Sequence, residues 1–214
     1  MTVAVTADIV ASRQLADRSS AQRTLDDAIA RVQEDLPVAD RPLRPTVGDE
    51  QQGVYPTLDA ALGSLLLLRL ALPDGLECRY GIGIGAIGTV PSEASDSGIP
   101  EGPGWWAARE AIEHVHALER RTVPSARTWV VAHESEPDAA RDAARRANLY
   151  LLARDQLIGD MTERARRIAY ARCLDRTQRE IAAAEGVTQS AVSQALAGSG
   201  AAALVEGFRQ LALP

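Results

Sequence analysis

Hydrophobic positions follow two different periods along the chain, and the places where one period gives way to the other mark out its elements. Val3 to Val10 is an almost unbroken apolar run with Asp8 near its end, the pattern of a buried strand. Behind Asp17-Arg18-Ser19-Ser20, the residues Leu25, Ala28, Ile29, Val32 and Leu36 recur at three-and-four spacing. That predicts a helix stopped by Pro37. Residues 38–45 carry further prolines and read as a loop. Arg44 to Gly48 and Gln51 to Tyr55 read as two strands of a hairpin around a Gly48-Asp49-Glu50 turn. Pro56 opens a second helix that runs to Leu72. It is apolar nearly all round, so it is expected to pack on a sheet, with a partner subunit as the candidate for its other side.

After the Pro73-Asp74-Gly75 turn, Leu76 to Ile87 is a strand in which Gly81, Gly83 and Gly85 alternate with Ile82 and Ile84. Period two with glycine on one face predicts a central strand that something approaches closely, either backbone or ligand. Residues 89–104 read as a long loop, a helix runs from Trp105 to about Arg121, Thr128 to Ala132 is a strand, and 137–158 is a long helix. The order β-α-β-β-α-β-α-β-α predicts an α/β (α+β) fold with a ferredoxin-like split βαβ core and added outer elements. Three regions follow: an α/β domain at 1–135, a connecting helix at 136–160 and an all-α carboxyl-terminal domain at 161–214.

Composition changes this picture in three respects. Hydrophobic residues make up 46% of the 214, enough for a real core, and no apolar stretch is long enough to span a bilayer. The opening residues lack the charged, apolar and small-residue order of a signal peptide, and Cys78 and Cys173 lack metal-ligand spacing. The expectation is a cytoplasmic protein with reduced core thiols and no membrane partner. All 23 basic residues are arginine, which excludes any mechanism that needs a lysine. The net charge is −6, yet residues 158–214 hold seven arginines against six acids, so the acidity belongs to the amino-terminal body.

The candidate chemistry begins with two carboxylates. Asp8 ends one strand and Asp49 sits on a nearby hairpin, so the two can converge on one hard cation. Mg2+ takes one or two carboxylates and leaves its other positions to phosphate oxygens. The plainer alternative makes Asp8 a strand cap and Asp49 and Glu50 solvated turn acids. His114, His116 and His133 offer no shared metal geometry and receive no role.

The segments Ala7-Asp8-Ile9-Val10-Ala11-Ser12, Thr46-Val47-Gly48-Asp49-Glu50-Gln51-Gln52-Gly53 and Gly102-Pro103-Gly104-Trp105-Trp106-Ala107-Ala108-Arg109 resemble the SatD family. With Arg79-x-Gly81-Ile82-Gly83 between them, the same landmarks are similar to the class III nucleotidyl cyclase core over residues 1 to about 121. The resemblance implies Asp8 and Asp49 as metal carboxylates, the Ile9 carbonyl as a further ligand and Mg2+ as the cofactor. It also implies Arg109 as the group steadying transition-state charge, although Arg109 can equally pair with Glu113 one turn on. Glu50, Trp105 and Arg109 would face a nucleotide or phosphorylated ligand, with Trp105 and Trp106 able to stack on a base or to serve as core. Departures are visible. Trp105 stands where the cyclases have asparagine, no lysine is present to read adenine, Pro45 lies near that place, and only Asp96 and Glu101 offer acids in the preceding loop. That favours binding, or other phosphate chemistry, over cyclic nucleotide synthesis.

Thr177 to Leu196 resembles the helix-turn-helix of sigma factors and response regulators. Thr177 and Glu180 form a capping box, Gly186 supplies the turn, and Val187, Val192 and Leu196 anchor the second helix. DNA is the implied partner. Thr188, Gln189, Ser190, Ser193 and Gln194 would reach base edges, and Arg164, Arg166, Arg167, Arg172, Arg176 and Arg179 would hold phosphates. So modest a footprint implies a homodimer. The expected function is a DNA-binding regulator that senses a nucleotide or phosphorylated ligand with Mg2+. The alternative is a metal-dependent nucleotide-processing enzyme with an interaction tail.

Overall fold

The computed structural model describes residues 2–15, 17–46, 48–92 and 95–213, the side chains of 91–92 and 95–99 excepted. Its centre is a five-stranded mixed sheet in the order β2 (Arg41–Pro45), β3 (Gln51–Tyr55), β1 (Val3–Ile9), β4 (Cys78–Ile84), β7 (Thr128–Ala132). The first four strands are antiparallel neighbours, and β7 joins β4 in parallel. Helix α1 (Arg18–Asp35) links β1 to β2, and α2 (Leu58–Ala71) links β3 to β4, so two βαβ units interleave as the sequence predicts.

Side-chain alternation sorts the two faces. Val3, Val5, Ala7 and Ile9 of β1, with Tyr80, Ile82 and Ile84 of β4, enter the main core, which includes residues of α1 and α2. The other face carries α3 (Pro103–Arg121), and the β4 glycines explain how it fits. A Cβ at Gly83 would stand 2.0 Å from the Gly104 carbonyl oxygen, and one at Gly81 2.2 Å from that of Ala108. The close approach read from the glycine period is therefore helix backbone.

Two loops of the sequence reading are strands. Residues 41–45 form β2, whose prolines are tolerated because an edge strand needs hydrogen bonds on one side only. Within 89–104 lies a ribbon of β5 (Gly88–Ser92) and β6 (Ser95–Glu101), where each strand again has a single neighbour. Val47 lies outside the described residues, as does the side chain of Asp96.

The outer edge of the sheet is closed by α4 (Asp138–Gly159). Asn148 accepts from the Val130 amide at 2.8 Å and donates to the Val130 carbonyl at 2.9 Å, standing in for the next strand. Asp155 accepts from the amides of Arg127 and Thr128 at 2.7 and 2.8 Å.

Four helices follow, α5 (Glu163–Cys173), α6 (Gln178–Glu185), α7 (Gln189–Gly198) and α8 (Ala201–Arg209). Their buried residues join the same core as the sheet. The far side of α2 is covered by this chain itself. Helix α5 packs on it, and Phe208, Leu211 and Leu213 close over Gly63. No partner subunit is needed to explain its apolar surface. Cys78 and Cys173 are free and buried, and burial pushes both thiols up to about 12. Among the described residues no helix is long and apolar enough to cross a membrane.

Candidate functional site

Asp8 is the penultimate residue of β1, and its cross-strand partner on β4 is Arg79. The guanidinium grips the carboxylate as a fork, Nε to Oδ1 at 2.9 Å and Nη2 to Oδ2 at 3.2 Å, and its Nη1 donates to Glu119 of α3 at 2.8 Å. Glu119 in turn meets Arg127 at 3.2 Å, and Arg127 reaches Glu77 at 2.5 Å. A row of alternating charges thus fixes the Asp8 side chain. Burial raises its carboxyl above the usual range. Arg79 opposes that shift, the charge of Asp49 adds to it, and His116 opposes it. Asp8 and Asp49 are therefore electrostatic neighbours despite their separation in sequence.

Asp49 is placed by its turn. Gly48 adopts a φ of +72°, which a residue without Cβ takes at no steric cost, and Thr46 closes the loop with an amide hydrogen bond of 2.9 Å to the Glu50 carbonyl. Gly48 and Asp49 line a cavity of about 430 Å3 together with Ile9, Ser12, Arg18 and Ser19. Arg18 opens α1, whose first turn is capped by Asp17 accepting from the Ser20 amide at 2.9 Å. The cavity therefore has a carboxylate on one wall, and an arginine with two hydroxyls on the other. Beside Asp8 on the same sheet face, Thr6 Oγ1 and Gln52 Oε1 are buried without a hydrogen-bond partner among the described residues, and these two residues oppose each other across β1 and β3. Carboxylates and unclaimed oxygens suit a hard cation. Among the described residues no three His, Cys, Asp or Glu side chains gather into a metal cluster, so any such ion would draw on Asp8, Asp49, backbone and ligand oxygens.

The other expected residues divide. Arg109 is exposed and lies 3.9 Å from Glu50, across from the hairpin rather than paired with Glu113, so these two are brought together. Trp105 is 8% exposed, packs with Ala4, Val54 and Ala108, and has the Arg41 guanidinium 6.0 Å from its ring. Its indole Nε1 has no partner among the described residues. Trp106 is the exposed member of the pair, 5.8 Å from the His133 ring. His114 stacks on Trp129.

At the carboxyl end, Thr177 and Glu180 form the expected capping box, and Gly186 ends α6 at a φ of +63°. Thr188 caps α7 by accepting from the Ala191 amide at 3.1 Å. Val192 and Leu196 are buried, whereas Gln189, Ser190, Ser193 and Gln194 are exposed, as are Arg176 and Arg179. Two arginines expected to hold phosphates are committed elsewhere. Arg166 is buried against Asp74 and the Leu72 and Met161 carbonyls, and Arg167 is tied to Glu163 and Glu185.

The profile of the SatD family matches residues 2–209. The chain belongs to the SatD family. No curated protein matches it. Among solved structures this SatD-family chain is similar to a bacterial light-regulated adenylyl cyclase, at 16% identity over 57% of this chain and 71% of that one, with a TM-score of 0.39. It is also similar to the adenylyl cyclase CyaB from P. aeruginosa, at 12% identity over 56% and 81%, with a TM-score of 0.39.

Three residues join the site in roles that the sequence of this SatD-family chain does not state, although Arg79 and Ser12 lie in its landmark segments. Arg79 holds Asp8, but its role depends on a strand register that no local pattern states. Ser12 and Arg18 reach the Asp49 cavity only through the turn at Ala11, a non-glycine residue at φ +51°. A polar run between a strand and a helix, Ser12 to Ser20, was the one available signal.

Proposed function

We propose that this SatD-family protein is a cytoplasmic DNA-binding regulator, a homodimer whose cyclase-like body senses a nucleotide or another phosphorylated ligand with Mg2+. The observation that carries the reading is the pair α6 and α7. Capping box, left-handed glycine and two buried anchors hold a helix whose outer face offers amides and hydroxyls without charge. Gln189 and Gln194 suit bidentate reading of adenine, and Ser190 and Ser193 suit bases or phosphate, with Arg176 and Arg179 beside them for the backbone. In the body, Asp8, Asp49 and the Ile9 carbonyl would hold Mg2+, which supplies charge neutralisation of phosphate oxygens when bound. Arg79 keeps Asp8 aimed and works against the burial that disfavours its charge. Arg18, Ser12 and Ser19 would take the remaining phosphate oxygens.

Electrophoretic mobility at low salt with random-sequence duplexes tests the first half. The purified chain is expected to shift DNA, and Gln189→Ala with Ser193→Ala to abolish the shift while leaving the melting temperature unchanged. No shift of any duplex sinks the regulator. For the second half, a nucleoside triphosphate with Mg2+ is expected to raise the melting temperature, and Asp49→Asn to remove the gain.

One observation favours a metal-dependent nucleotide-processing enzyme instead. Arg109 stands exposed in a loose ion pair with Glu50, where a charged substrate would reach it. That reading requires Mg2+-dependent release of phosphate or pyrophosphate that disappears in Arg109→Ala.

A further inference from the structure

A second cavity, of about 460 Å3, opens where the end of β1 and the α2–β4 turn face the passage from α4 into α5. Such a volume lies within the range of small-molecule sites. Arg69 of α2 lines it, yet only 7% of the residue is accessible. Its hydrogen bonding among the described residues is a single bond, from Nη1 to Asp155, whereas a guanidinium carries five N–H donors. Asp155 is claimed a second time, by Arg154 Nε at 3.1 Å and Nη2 at 2.9 Å. Two guanidiniums thus share one carboxylate where no side chain exceeds 5% exposure, and Arg154 Nη1 is buried with no acceptor among the described residues.

Two acids share the cavity wall, and both are engaged. Glu77 is held by Arg127 through Nε and Nη2, and Asp74 by Arg166, a second arginine of the wall. Burial works against the charge on Arg69 and is only partly offset by Asp155, with smaller help from Tyr80 and Glu77, while Arg154 opposes the charge as well. A buried cationic excess of this kind calls for an anion. Beside these charges and Gln14, Leu15, Leu72, Leu76, Ile158 and Met161 give the cavity an apolar wall.

We propose that this cavity binds a small organic anion, a carboxylate or a phosphate monoester on a short apolar chain, with its charged end on Arg69 and its chain against the leucine wall. The site lies apart from the Asp49 cavity and goes beyond the function proposed above. Because its walls come from both ends of the chain, an occupant ties α5 to the sheet.

Isothermal titration of the full chain at fixed ionic strength, with hexanoate, hexyl phosphate and hexanol, tests the assignment. At least one of the two anions is expected to bind saturably at one per chain, and which of them binds tells carboxylate from phosphate. Hexanol is expected to bind roughly tenfold more weakly or worse, the worth of a charge-assisted hydrogen bond. Arg69→Gln should weaken the anion by a similar factor. Since Arg69 is buried, Gly159→Trp provides a blocking variant that leaves it intact. Gly159 lines the cavity, and a Cβ there meets nothing within 4 Å. With the space filled, binding should be abolished. Arg18→Ala, in the other cavity, should leave binding as it was. Absence of saturable anion binding, equal affinity for hexanol, unaltered binding in Gly159→Trp, or loss in Arg18→Ala would each overturn the proposal.

Discussion

Single polar side chains do work at the sheet edge that no apolar residue could replace. Asn148 satisfies both the amide and the carbonyl of Val130 on an otherwise open strand. Asn148→Leu keeps the volume and leaves two buried backbone groups orphaned, which should cost about 1–3 kcal/mol in urea unfolding. Asp155 accepts two amides and faces two buried guanidiniums. Burial alone would raise its carboxyl, but Arg69, Arg154 and the Arg127 amide outweigh that and hold it below the usual range. A lowered acid stabilises the fold above its unfolded value near pH 4, and that contribution is lost as pH falls through the lower folded value. Asp155→Asn should therefore destabilise by about 3–5 kcal/mol at neutral pH and flatten the acid limb of a stability-against-pH curve. Asp8, raised by burial, has the opposite slope, so it cannot account for that limb.

At the scale of elements, the seating of α3 rests on what β4 lacks. Gly83→Ala would put a Cβ 2.0 Å from the Gly104 oxygen and 2.3 Å from the Ala108 nitrogen, both of them backbone. The helix must lift, at about 3 kcal/mol or more, the upper end of overpacking costs, and Trp105 fluorescence should shift to the red as its ring meets water. Gly198→Ala in α7 has open space and a helical backbone, so it should gain about 0.4–1 kcal/mol. Period two with glycine was plain in the sequence, but whether the visitor was helix or ligand depended on residues of α3 more than twenty positions on. Strands β2, β5 and β6 were hidden for a related reason. Their own residues, rich in proline and serine, argue against strand, and only the neighbour each one pairs with decides the matter. In the candidate site, Asp8 and Asp49 could be picked out through their strand and turn contexts. The register Asp8↔Arg79 could not, because pairing is a property of two segments at once.

For the molecule as a whole, one core runs from the sheet through α2 into α5 and α8. The carboxyl-terminal strand of chain is also pinned by polar contacts, the Ala212 amide to Asp59 at 3.1 Å and the Tyr170 hydroxyl to Asp35 at 2.6 Å. Near- and far-ultraviolet circular dichroism should accordingly trace a single coincident melting transition, and two separated steps would contradict the shared core. Tyr170→Phe should lower its midpoint, by the equivalent of about 1.5 kcal/mol for a bond to a charged acceptor. Helix α1 is held at both of its ends. Its eighteen residues make a bar about 27 Å long, with Arg18 and Ser19 at the Asp49 cavity and Arg31 and Asp35 on Tyr170 of α5. One alanine spliced into its middle would swivel the far end through about 100°, swinging Asp35 off the tyrosine while the near end stayed put. The phase of that bar is thus fixed from both sides, and the chain is far freer to exchange residues along it than to change its length.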